Sequence, residues 1–320
     1  MKCRKSVMGL AALLIMIFHF YIPVTKSPFE MAFYRASYIG VDLFFFVSAY
    51  SLSQREKMSF VPFMKNRLCN VYVPFLVMAG ICAVYKKWTW QRFLQVASGA
   101  ELFMKGGGAF MWFIPGIMIF YLLAPFIIFL KKRYGRKIFA GMIAFWLVIV
   151  IFLQYGLRYT ELFILLNRIP VFAVGLFYGD MRKAEPGKYH LPVILTGLTA
   201  GAFLMYKWGS LVRINRPIQE MYYVIAVPIV FFIVAMFDYV SQRTKLKNVP
   251  LAFLGRESFE LYGLQMIFGY DIESRILQKT GKGYISFLCT MVVLIVLAYV
   301  FWFGRKIITK SILRIKEHEK

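Results

Sequence analysis

The sequence predicts an all-α fold, a polytopic transmembrane bundle of about ten helices with both termini cytoplasmic. Three observations carry that expectation. The 320 residues are 60% hydrophobic and only 17% charged, with a mean hydropathy of +0.64, whereas soluble domains are about half apolar and a quarter charged. The apolar residues fall into ten runs, roughly 7–23, 38–54, 71–85, 111–130, 137–154, 162–179, 190–206, 220–239, 250–270 and 284–304, close to the length of about 20 residues that crosses a bilayer core. The basic residues also sort by side, as Lys and Arg do when they concentrate on cytoplasmic loops. With the N-terminus inside, the inner segments hold 24 of the 39 Lys and Arg and the outer loops 13. That split favours an even number of spans.

The formal net charge of +24 could suggest a nucleic-acid partner, but such a protein gathers its charge on one soluble face. Here the charge comes in short clusters between apolar runs, so no nucleic-acid partner is expected, and an ordinary soluble enzyme is excluded. The connections are short, and no repeat or long hydrophilic segment stands out. Residues 1–320 read as one membrane domain without an appended soluble domain, so any chemistry belongs in the bundle or its loops.

Taken in order, the first run follows Lys2, Arg4 and Lys5 and ends at Pro23. It resembles a signal peptide, yet no A-x-A site follows, which makes it an uncleaved first span. The second run starts from the outer surface near Tyr38. The third meets the cytoplasm at Arg67, beside Asn70, Tyr72 and Pro74. The stretch KGGGAFMWF before the fourth has no GK[ST] and is read as a flexible loop rather than a phosphate loop. The ninth run contains Arg256, Glu257 and Glu260 and is the least regular. Cys3, Cys69, Cys82 and Cys289 show no metal-ligand spacing, so buried free thiols and no metal site are expected.

Ionisable residues inside a span are costly unless paired or wetted, and therefore mark candidate sites. His19 is the histidine inside an apolar run. At a rise of 1.5 Å per residue it lies about 20 Å up the first helix, and Asp42 lies about 6 Å below the outer surface on the second. The two thus share a depth on consecutive antiparallel helices. A carboxylate on one imidazole nitrogen would fix the tautomer and raise the basicity of the other, while the plainer reading has Asp42 capping its own helix. Arg168, beside Asn167, and Glu260, near mid-membrane, are the next candidates, and an internal Arg–Glu pair is the plain explanation for them.

Five segments resemble the integral-membrane acyltransferase family 3, bacterial proteins that move acyl groups onto cell-surface carbohydrates. GLAALLIMIFHF at 9–20 ends in His19 at the family's histidine. IGVDLFFFVSAYSLS at Ile39–Ser53 is close to its GVDLFFVLSGF and matches Asp42 and Ser48. FMKNRLCNVYVPF at 63–75, with Arg67 and Pro74, and WFIPGIMIFYLLAP at 112–125, beginning at Trp112, resemble its third and fourth helices. LGRESFELYGLQ at 254–265 resembles its LG-x-x-S-x-E-x-YL-x-H. The chain departs from the family at Met8, where a basic residue is common, at Asn70, where R-x-x-R becomes R-x-x-N, and at Gln265, which replaces a histidine.

The resemblance implies a membrane O-acyltransferase of the bacterial inner membrane that holds no bound cofactor. It would use acetyl-CoA or another acyl-CoA as donor and a surface polysaccharide or lipid-linked sugar as acceptor. His19 and Asp42 would be catalytic, with Ser48, Arg67, Asn70, Trp112, Arg168 and Glu260 binding substrate or donor. Two rival readings use the same charges. One is a transporter or flippase for an anionic or lipid-linked solute, and the other a family member that binds glycan without catalysis.

Overall fold

The computed structural model describes residues 3–21, 27, 30–31, 33–34, 37–55, 59–135, 137–184, 219–243 and 249–318. Among them there is helix and turn but no strand. In chain order the helices are α1 (Arg4–Phe20), α2 (Ile39–Ser53), α3 (Phe60–Tyr85), α4 (Trp90–Ser98), α5 (Ala100–Lys105), α6 (Phe113–Tyr134), α7 (Lys137–Gly156), α8 (Phe163–Leu166), α9 (Ile169–Ala184), α10 (Gln219–Arg243), α11 (Val249–Arg256), α12 (Ser258–Leu264), α13 (Tyr270–Thr280) and α14 (Gly283–His318).

Among the described residues, six helices are long and apolar enough to cross a membrane, over 60–85, 113–134, 137–156, 163–180, 226–243 and 283–304. Two predicted spans are shorter than a standard crossing, α1 at 17 residues and α2 at 15. The ninth predicted run is not one continuous helix: it breaks at Glu257, between α11 and α12, where the charged triplet interrupts the apolar pattern. The seventh, 190–206, lies outside the described residues.

α2 is the hub. Only Phe44, Ser48 and Ser51 of its 15 residues escape full burial, as suits a helix apolar all round that packs against α1, α6, α9 and α10. Helices in a membrane lack a hydrophobic drive to associate and rely on small residues for close approach. Gly175 and Gly179 of α9 serve α2 in this way. A Cβ on Gly175 would lie 2.6 Å from the Phe46 carbonyl oxygen, and one on Gly179 would overlap the Ser53 hydroxyl. α1 and α11 meet through Gly9 and Gly255, whose added Cβ atoms would overlap the backbone oxygens of Leu251 and Lys5.

Contacts define two ends of the bundle. The near end gathers the start of α1, the end of α2, and the Lys131–Asp180 ion pair of 2.6 Å between α6 and α9. The far end gathers His19, Tyr38, Arg168 and Tyr270.

At that far end α4 is capped by Thr89, whose hydroxyl accepts the Arg92 N–H at 3.3 Å, and stops at Gly99 with φ +79°. The glycine stretch that follows is not the flexible loop that its composition suggests. Gly106 (φ +54°) packs on the backbone of Glu161, and the buried Glu101 carboxylate takes Lys105 Nζ at 2.6 Å and the Phe110 N–H at 2.9 Å. The glycine is there for close approach, and the fixed turn delivers Trp112 to the start of α6. Of the cysteines, Cys3 and Cys82 are buried but Cys69 and Cys289 are exposed, contrary to expectation. They sit beside the exposed Leu68 and Leu288 on apolar outer faces, and a bilayer offers a small apolar side chain the same shelter as a core.

Candidate active site

The intramembrane polar residues separate into two groups. At the far end Arg168, fully buried at the mouth of α9, donates from Nη1 to Asp42 Oδ1 at 2.7 Å, with both side chains at 0% exposure. Its guanidinium lies 4.8 Å from the Tyr38 ring centroid and 5.7 Å from that of Trp112. An aromatic face attracts a desolvated cation, so the rings complete the enclosure that the carboxylate begins. Asn167 is tied down separately, its Oδ1 accepting from Trp146 Nε1 at 3.0 Å.

His19 lies at the same end but does not share Asp42. Its Nδ1 is 3.3 Å from Tyr270 Oη, with the two rings edge to face. His19 and Asp42 do lie at one end of the bundle, since the neighbouring Phe18 touches Tyr38 at a centroid separation of 5.1 Å, but contrary to expectation the two do not pair. The reason is electrostatic: a fully buried guanidinium needs a counter-charge, whereas a half-buried imidazole is served by a neutral hydroxyl. The same finding answers the Arg–Glu alternative, because the acid that Arg168 takes is Asp42. His19 Nε2 makes no hydrogen bond to any described residue.

The second group sits nearer the other end. Ser48 is six residues beyond Asp42 on α2, about 9 Å along the axis. Its Oγ accepts from Tyr121 Oη at 3.2 Å, and the Tyr121 ring carries the Arg67 guanidinium at 4.5 Å from its centroid. Arg55 and Arg67 both lie 5.2 Å from the centroid of Phe63. Neither arginine has a carboxylate within ion-pairing distance among the described residues, and Arg67 Nε is buried without a hydrogen-bond partner. Two guanidiniums without a carboxylate partner among the described residues thus lie beside the hydroxyls of Tyr121 and Ser48.

Of the predicted residues, then, Asp42, Trp112 and Arg168 come together, His19 joins their end, and Ser48 and Arg67 form the second group. Asn70 joins neither. It is exposed, and its Nδ2 turns back to the Asn66 carbonyl at 2.9 Å. Glu260 is buried on α12 at 3% exposure. Sequence reasoning missed Tyr38, Arg55, Tyr121 and Tyr270. Tyr121 had a signal, because Pro125 four residues on cannot donate to its carbonyl and marks an irregular turn; Tyr270 had none beyond its place where the ninth apolar run ends.

A family model described as an acyltransferase domain matches residues 8–303 of the chain. No curated protein and no solved structure matches it.

Proposed function

The chain belongs to acyltransferase family 3, whose domain model spans nearly its whole length, and on that premise we propose that it moves an acetyl group from acetyl-CoA to a hydroxyl of a surface polysaccharide or lipid-linked sugar. The observation that carries this reading is the division of polar groups between the two ends. Arg55 and Arg67, without a carboxylate partner among the described residues, suit the phosphates of a CoA donor, and His19 Nε2, which no described residue occupies, suits a hydroxyl arriving from the opposite side.

In the proposed reaction His19 Nε2 takes the proton from the acceptor hydroxyl as its oxygen forms the ester bond to the acetyl carbon. The carbon–sulfur bond breaks, and the proton leaves with the CoA thiol. General-base assistance of this kind contributes about 10²- to 10⁴-fold in rate. Arg168 is held by Asp42 with its charge already neutralised, so it shapes the far end rather than attracting the donor.

Surface-glycan O-acetylation, measured by NMR in a His19→Ala strain with a normal level of the protein, tests the assignment. Acetylation is expected to vanish, and acetylation at the wild-type level would overturn the role given to His19. Solute uptake or lipid flipping without consumption of acetyl-CoA would favour a transporter instead.

A further inference from the structure

We propose that Tyr270 is a positioning residue for His19, fixing the imidazole so that Nδ1 carries the proton and Nε2 faces the acceptor as the lone-pair base. The proposal rests on the reading of His19 as the base and names the group that sets its tautomer, the role that depth alone would have given to Asp42. The geometry is specific on three counts. Tyr270 Oη stands 3.3 Å from Nδ1, the nitrogen that must be occupied if Nε2 is to act. The ring of Tyr270 is itself clamped, edge to face with Phe20 at 5.4 Å between centroids and with His19 at 6.4 Å.

The third count is anchorage. The residue that follows, Asp271, accepts from Tyr85 Oη at 2.8 Å and Lys86 Nζ at 2.5 Å, which binds the start of α13 to the end of α3. Lys86 and the Tyr85 hydroxyl also hold the Asp271 carboxyl below the usual aspartate range, so the anchor stays ionised at neutral pH. On the other side, Gly269 lets the backbone close onto Phe20, the residue after His19. The backbone of Tyr270 is therefore held at both of its neighbours in sequence, while Tyr270 itself is 53% exposed and reaches the imidazole from the outside.

A hydroxyl differs from the carboxylate usually found behind a catalytic histidine. Its oxygen can accept from Nδ1–H and so favour that tautomer without adding a negative charge, so its loss should cost orientation more than basicity. Removing one neutral hydrogen bond of this kind corresponds to about a tenfold effect on rate.

The test uses the full-length protein in lipid nanodiscs with ¹⁵N-labelled histidine, the His19 signals being identified by their loss in His19→Gln among the three histidines. Tyr270→Phe keeps the ring packing and removes only the hydroxyl. Wild type is expected to show His19 in the Nδ1–H form and Tyr270→Phe a mixture of tautomers. With acetyl-CoA as donor, kcat should fall about tenfold while KM for acetyl-CoA stays unchanged. Unaltered nitrogen shifts in Tyr270→Phe would overturn the proposal. So would an unaltered kcat in that variant alongside abolition of transfer in His19→Ala, a result that leaves the acyltransferase reading standing. If the wild type consumes no acetyl-CoA, the acyltransferase reading fails, and the nitrogen shifts decide the placement of Tyr270 by themselves.

Discussion

At the scale of single residues, Asp42 and Arg168 form an ion pair in which both side chains are fully buried and joined at 2.7 Å. Losing one partner from such a pair strands a charge and costs about 3–5 kcal/mol, whereas replacing both with apolar groups of similar volume is often neutral. Asp42→Leu and Arg168→Met are therefore each expected to lower the melting temperature steeply in nanodiscs, and the double variant to regain most of the loss. A double variant as unstable as the sum of the singles would show the two residues to be uncoupled. The sequence showed that Asp42 and His19 occupy one depth, because helical rise is arithmetic. It did not show who pairs with whom, because azimuth around a uniformly apolar helix leaves no periodic trace. α2 is such a helix, buried on nearly every side, so its polar residues cannot be oriented from their neighbours.

Elements add what residues cannot specify alone. Each of the two groups is built where a helix departs from regular geometry: a π-helical turn at Leu68–Tyr72 begins directly after Arg67, and another at Gln265–Gly269 ends directly before Tyr270. A π turn inserts an extra residue and re-aims what flanks it. Apolar runs reveal helices but not the one-residue insertions within them, so the sequence disclosed the spans and concealed the turns that aim Arg67 and Tyr270. The interfaces between elements were equally concealed, since Gly9 and Gly80 look alike in sequence. They differ in surroundings: a Cβ on Gly9 overlaps the Leu251 backbone, while one on Gly80 meets nothing within 4 Å. Gly9→Ala should therefore destabilise by about 1–3 kcal/mol, as overpacking does, and Gly80→Ala should be neutral or stabilising by up to about 1 kcal/mol, the helix-propensity gain. Thermal unfolding of the two variants side by side measures the contrast, and equal behaviour would remove the close approach of α1 and α11 from the account.

For the molecule as a whole, two lines bear on the sidedness expected of the chain. The loop charges place 24 of the 39 basic residues on the side of the N-terminus, six of them beyond residue 304. The packing independently brings both ends of the described chain together. Lys5 of α1 touches Gly255 of α11, and the adjacent Arg256 lies 5.5 Å from the ring centroid of Trp302 near the end of the apolar part of α14. The start of α14 is at the other end, where Ser286 Oγ donates to the Glu273 carbonyl at 2.8 Å, close to Tyr270 and His19. A chain that starts and finishes at one end of a bundle crosses it an even number of times, whatever path it takes between residues 184 and 219. Joined to the excess of Lys and Arg that the predicted spans assign to that end, this predicts that the shared end is cytoplasmic. A fluorescent-protein fusion at the C-terminus should then be bright and an alkaline phosphatase fusion there inactive. The reverse pattern would turn the molecule over, carrying Arg55 and Arg67 to the side without acetyl-CoA and His19 to the side without surface glycan, and the proposed direction of transfer would fall with it.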